Sequence, residues 1–180
     1  MIDPERGPFL FDTSAESWLL RAHDPLVDDW IRRYLSHYRL QISAATVMER
    51  IRGYALLWRR RHPEERHSVE NARIAYLSNL DRVLPIDSAV AAVAGEISAL
   101  LPNPPTSPKR ARSFMEGRQE RLVRWRFDAM IAATALLHRL PLIHNNAADF
   151  ESIRNGIETA PLRFPALGPL ELIRCSSLSA

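Results

Sequence analysis

Short runs of apolar residues alternate along this chain with longer stretches in which apolar positions return every three or four residues. The first pattern predicts strands at Phe9 to Phe11, Leu40 to Ser43, Val83 to Ile86 and Leu142 to His144, with a weaker fifth at Leu170 to Ile173. The second predicts helices over 14–21, 25–38, 45–61, 64–80, 87–101 and 128–138. Pro25 and Pro63 sit where a helix can begin, whereas Pro102, Pro104, Pro105 and Pro108 break the chain after the fifth helix. Strand and helix alternating in this way predict an α/β domain with a mainly parallel sheet. No internal repeat is visible.

Composition narrows the class. The 180 residues, 46% hydrophobic and 25% charged, suit one soluble globular domain over 1–180. No stretch reaches the ~20 apolar residues of a membrane span, and MIDPERGPFLF places acids where a secretory signal carries bases. The expectation is a cytoplasmic protein without membrane association. Cys175 is the single cysteine, which excludes an intrachain disulfide and any site built on several thiolates. A metal here must use oxygen or imidazole ligands.

The net charge of +3 says little about nucleic acid, but its placement says more. Between Leu101 and Phe127 stand Lys109, Arg110, Arg112, Arg118, Arg121, Arg124 and Arg126 against only Glu116 and Glu120, so the rest of the chain is slightly acidic. This Pro- and Arg-rich insert, about 101–127, reads either as a solvated face or as a surface for phosphates. Trp125, flanked by Arg124 and Arg126, is a candidate for base stacking. From about residue 155 the chain reads as an irregular tail with Pro161, Pro165 and Pro169.

Four acids stand where the chemistry of such a fold is built. Asp12 follows the first strand, and ligands of open α/β sheets bind beyond the carboxyl ends of strands. Its ordinary role would be to cap the helix behind it, but Thr13 or Ser14 can serve as that cap, which favours the site reading of Asp12. Asp128 opens FDAMIAATALLH, a helix apolar on nearly every side, where an N-cap is the ordinary reading. Glu49 falls opposite the stripe of Val47, Ile51, Tyr54 and Trp58, so periodicity places it in solvent. Gly53, one turn later, is costly unless something approaches closely there. Asp149 in LIHNNAADFE has a turn or cap as its default. His144 reads as a core or surface histidine rather than a site residue.

Taken in order, FLFDTSA, ISAATVMERIRGYAL, VLPIDSAVAAVAGEISAL and DAMIAATALLHRLPLIHNNAADFE resemble the PIN-domain ribonucleases, especially the VapC or FitB-like toxins of toxin-antitoxin pairs. The resemblance covers about residues 8–155 with a gap. It implies a three-layer PIN-like domain whose central sheet of four to five strands is flanked by helices. It further implies that Asp12, Glu49, Asp128 and Asp149 gather to hold Mg²⁺ or Mn²⁺, which overrides the periodicity reading of Glu49. Thr13, Ser14 and Asn146 match positions that support those acids.

What the resemblance implies is a metal-dependent endoribonuclease, with transfer RNA the suggested substrate, a cognate antitoxin protein and a homodimer. The basic residues Lys109, Arg110, Arg112, Arg121, Arg124 and Arg126 would hold the RNA backbone that the acids repel. The alternative is a PIN-like RNA- or protein-binding module without catalysis. Phosphoryl transfer through Asp12, as in proteins resembling haloacid dehalogenases, needs a second Asp where Ser14 stands.

Overall fold

The computed structural model describes residues 2–19, 24–104, 118–159 and 167–178. In these the five strands are β1 (Leu10–Phe11), β2 (Gln41–Ser43), β3 (Arg82–Leu84), β4 (Leu142–His144) and β5 (Leu172–Arg174), and every pairing is parallel. Their order across the sheet is β3-β2-β1-β4-β5. The chain therefore builds outward from β1 on one side, then crosses to the other side for β4. Beyond the carboxyl ends of β1 and β4 the connections diverge, which opens a crevice.

Alternation along the strands divides the core. Leu10 and Leu142 face one layer, made by α5 (Ser88–Leu100), α6 (Arg118–His138) and α7 (Ala147–Thr159). Phe9, Phe11, Ile42 and Ile143 face the other, where α1 (Thr13–Leu19) and α2 (Pro25–His37) contribute Ala15, Trp30 and Tyr34. Helix α3 (Ala44–Arg60) leaves β2 and packs on α1, α4 (Arg66–Ser78) and α6. The result is the three-layer α/β architecture with a parallel sheet expected from the sequence. No described helix is long and apolar enough to cross a membrane.

Three elements depart from the expected ones. Helix α6 begins at Arg118 rather than 128, because Arg118–Phe127 is helix-forming sequence whose apolar Trp125 and Phe127 join the core. Part of the basic insert is thus the first half of a long helix. Helix α7 replaces the turn expected around Asp149 and takes in the start of the tail: Phe150 and Ile153 are buried and Ile157 packs on the same core. In α3 only the first turn is deeply buried, through Ala45 and Thr46, and Trp58 at the far end is 41% exposed. Of its apolar stripe, Val47 packs against the core whereas Trp58 does not.

Candidate metal centre

Helix α1 starts where β1 ends, and Asp12 is the hinge between them. Its backbone N–H donates to Ile143 O in β4, and its carbonyl accepts from Glu16 N–H. Its carboxylate accepts from the Ala15 N–H at 2.6 Å and from the Ser14 hydroxyl at 2.7 and 2.9 Å. Asp12 is therefore both the cap of α1 and a wall of the crevice, and the expectation that Thr13 or Ser14 would cap instead is corrected. Ser14 turns to Asp12 and also accepts the Asn145 N–H at 3.1 Å, tying α1 to the end of β4. The Thr13 hydroxyl is buried without a partner and faces the same crevice.

Asp128 lies in the middle of α6 rather than at its start, which removes the capping role. It is 8% exposed. A carboxylate with no helix terminus to serve, held inside a core helix, requires another explanation. Glu49 projects from the second turn of α3 into the same space, so the structure corrects its solvent placement by periodicity. Gly53 does not take part: a Cβ there would meet nothing within 4 Å, and the close approach expected of it is absent.

Asp12, Glu49 and Asp128 line one pocket of about 460 Å³ with Thr13, Ser14, Ser17, Trp18, Arg124, Asn145 and Asn146. Asp149 is not on its wall. It is buried in the first turn of α7, where it accepts from the Asn146 side-chain amide, which also donates to Asp128 Oδ2 at 3.4 Å. Asn146, on the pocket wall, bridges Asp128 and Asp149, which also share a side-chain hydrogen bond. Three of the expected acids face the pocket and the fourth backs it.

The electrostatics follow from this crowding. Burial pushes the Asp12 carboxyl up to about 7 against its hydrogen bonds, with Glu49 adding to the rise. Asp128 is raised well above the usual carboxylate range, first by burial and then by Asp149, Glu49 and Asp12. The acids are thus uncompensated by one another. An all-oxygen set of this kind suits a hard divalent cation, which would remove the repulsion. Among the described residues no group of three or more His, Cys, Asp or Glu side chains forms a ready-made metal cage. Mg²⁺ is an ion that keeps several waters and takes one or two carboxylates together with substrate phosphates. The unpartnered Thr13 hydroxyl and the repulsion at Asp128 fit such an ion.

The expected RNA contacts separate. Lys109, Arg110 and Arg112 lie outside the described residues. Arg124 reaches the pocket one turn before Asp128 on α6, Arg121 is half-buried and Arg126 is exposed. Trp125 is corrected: it is 3% exposed and donates its indole N–H to Leu101 O at 2.7 Å, closing the end of α5. It offers no face to a base. Trp18 lines the pocket as well. Its signal was its place in the helix that Asp12 caps. His144 packs in the core 5.3 Å from the Phe150 ring, with burial and then Arg174 pushing its pKa down to about 4.

A family model described as PIN domain matches residues 9–155. Among solved structures, the chain is similar to a DNA-bound VapBC structure from Salmonella typhimurium, with 20% identity, TM-score 0.53, and 92% of this chain and 96% of that chain covered. It is similar also to VapBC2 from Rickettsia felis bound to a promoter DNA fragment, with 14% identity, TM-score 0.55 and coverage of 92% and 97%. A toxin-antitoxin complex from Klebsiella pneumoniae matches at 23% identity and TM-score 0.43, over 79% of this chain and 90% of that one. At these identities the Salmonella and Rickettsia structures speak for the fold alone. No curated protein gives a significant match.

Proposed function

The chain belongs to the PIN-domain family, and from that premise we propose that it is a metal-dependent endoribonuclease of the toxin type. One observation carries the reading: Asp12, Glu49 and Asp128, from three separate segments, converge on one pocket, and among the described residues that line it Arg124 is the one cation. A stability site would be arranged the other way, with opposite charges paired.

Asp12, Glu49 and Asp128 would hold Mg²⁺ or Mn²⁺, with Asp149 supporting Asp128 through Asn146. When bound, such an ion lowers the pKa of a water, orients it for in-line attack on a phosphodiester and stabilises charge on the leaving oxygen. The protein's part is positional. Ser14 and the Ala15 N–H fix the Asp12 carboxylate, so that it is not free to follow its own repulsion. Arg124 meets the phosphate charge that the acids reject, and Trp18 offers an aromatic surface at the pocket wall. Arg121 and Arg126 extend the positive strip along α6 for the RNA backbone.

The same reading includes a cytoplasmic setting, transfer RNA as the suggested substrate, a cognate antitoxin protein and a homodimer. Leu57 and Trp58 on α3 and Ile74 and Leu77 on α4 are large apolar side chains left exposed, and to these we assign contacts with protein partners. Cleavage of labelled RNA in Mg²⁺ or Mn²⁺ by the parent and by Asp12→Asn and Asp128→Asn tests the proposal. Cleavage by the parent alone supports it. Equal cleavage by the variants ends the metal-site mechanism, and a parent that binds RNA without cutting it leaves a non-catalytic PIN-like module.

A further inference from the structure

Arg50 follows Glu49 directly on α3 and reaches across to α1. Its Nε stands 3.2 Å from Glu16 Oε2 in an ion pair, and its Nη1 donates to Ser17 Oγ at 2.7 Å. The Arg50 and Glu16 side chains are 22% and 5% exposed. Two rings enclose the guanidinium, with centroids 5.3 Å away at Tyr76 and 6.0 Å away at Tyr54.

Arg50 and Glu16 line a second cavity, of about 280 Å³, whereas Ser17 faces the acid pocket. Arg50 therefore stands in the partition between the two spaces and grips consecutive residues of α1. A planar guanidinium held at two points fixes orientation as well as separation. Helix α1 begins on Asp12 and α3 carries Glu49, so what this grip fixes is how Glu49 lies relative to Asp12. Stability alone does not account for the arrangement, since a buried ion pair replaced by apolar residues of similar volume is often as stable or more so.

We infer that Arg50, acting through Glu16 and Ser17, is a positioning residue that sets the geometry between Asp12 and Glu49. The inference rests on the metal-site reading above. Supporting groups behind metal ligands commonly change metal affinity by about 10- to 100-fold when removed.

The test compares the parent with a Glu16→Met, Arg50→Met double variant, which removes the buried charges together. Mn²⁺ affinity is measured by calorimetry, thermal stability in parallel, and RNA cleavage as a function of Mn²⁺ concentration. The expected result is a folded variant whose Mn²⁺ affinity falls about tenfold or more. Its KM for RNA stays near the parent's, and its kcat recovers as Mn²⁺ is raised, a rescue that a purely structural defect would not show. Should the double variant fail to fold, Arg50→Lys carries the same test, because an ammonium keeps the charge for Glu16 but lacks the fork that also reaches Ser17. A folded variant that binds Mn²⁺ as the parent does overturns this inference and leaves the metal site standing. A parent that binds no Mn²⁺ overturns both.

Discussion

Asp12 and Asp128 on one side of α1, and Glu16 with Arg50 on the other, are two sets of buried charge treated in opposite ways. Glu16 is also pushed up by burial, but the guanidinium of Arg50 offsets part of that rise. Asp12 and Asp128 face further carboxylates instead. The same few turns of helix thus contain one carboxylate that meets an opposite charge and a second set that meets only like charges. The first links α1 to α3 and so positions the second, and the second is legible only as a site.

The largest effect should come from removing that second set. Asp12→Asn combined with Asp128→Asn should lower RNA cleavage by about a thousandfold, about 4 kcal/mol of transition-state stabilisation. The melting temperature of the metal-free protein should hold or rise, because repulsion is relieved. Steady-state cleavage and calorimetric melting read the two halves. A large loss of stability would mean that the acids are structural after all.

Breaking the compensated set should do the reverse. Arg50→Ala leaves Glu16 buried with no counter-charge, and urea unfolding should show a loss of about 3 kcal/mol. A variant as stable as the parent would show that water reaches Glu16 freely.

A smaller effect separates the two groups by pH. Asp12 titrates at about 7 in the folded protein against 3.8 for an ordinary aspartate, so it holds its proton more tightly when folded. Its contribution to stability is complete below about pH 4 and is lost as pH rises towards 7. Metal-free protein should therefore lose melting temperature across that window, Asp12→Asn should lose less, and saturating Mn²⁺ should offset the loss by binding the folded state. An equal slope in parent and variant would remove Asp12 from the account.

The smallest effect divides the tryptophans. Trp18→Ala should weaken RNA binding by about 1–2 kcal/mol with little change in stability. Trp125→Ala should instead destabilise the fold, because it empties a core position and orphans the Leu101 carbonyl. Filter binding and thermal melting of both variants distinguish the cases, and the opposite assignment would restore Trp125 as the stacking residue.

These contrasts also show what the sequence could and could not convey. The strands and their parallel sheet were accessible because short apolar runs alternate with helical periods, whereas the order of the strands was not read. Asp12 was legible from its place after a strand. Glu49 was not, because the periodicity of α3 predicts a face and not which turn of the helix meets the core, and only Ala45 and Thr46 do so deeply. Helix α7 was hidden by the prolines that follow it, although Phe150, Ile153 and Ile157 carry helical spacing. The start of α6 was hidden by its charge, which reads as a loop until Trp125 and Phe127 are seen in the core. Arg50 and Glu16 are 34 residues apart, and nothing local links such a pair.

The central claim is that the uncompensated acids await a divalent cation. Calorimetric titration of Mn²⁺ into the parent and into the Asp12→Asn, Asp128→Asn double variant tests it most directly. Binding by the parent that disappears in the double variant is the predicted result; absence of binding to the parent, or equal binding to both, would contradict it.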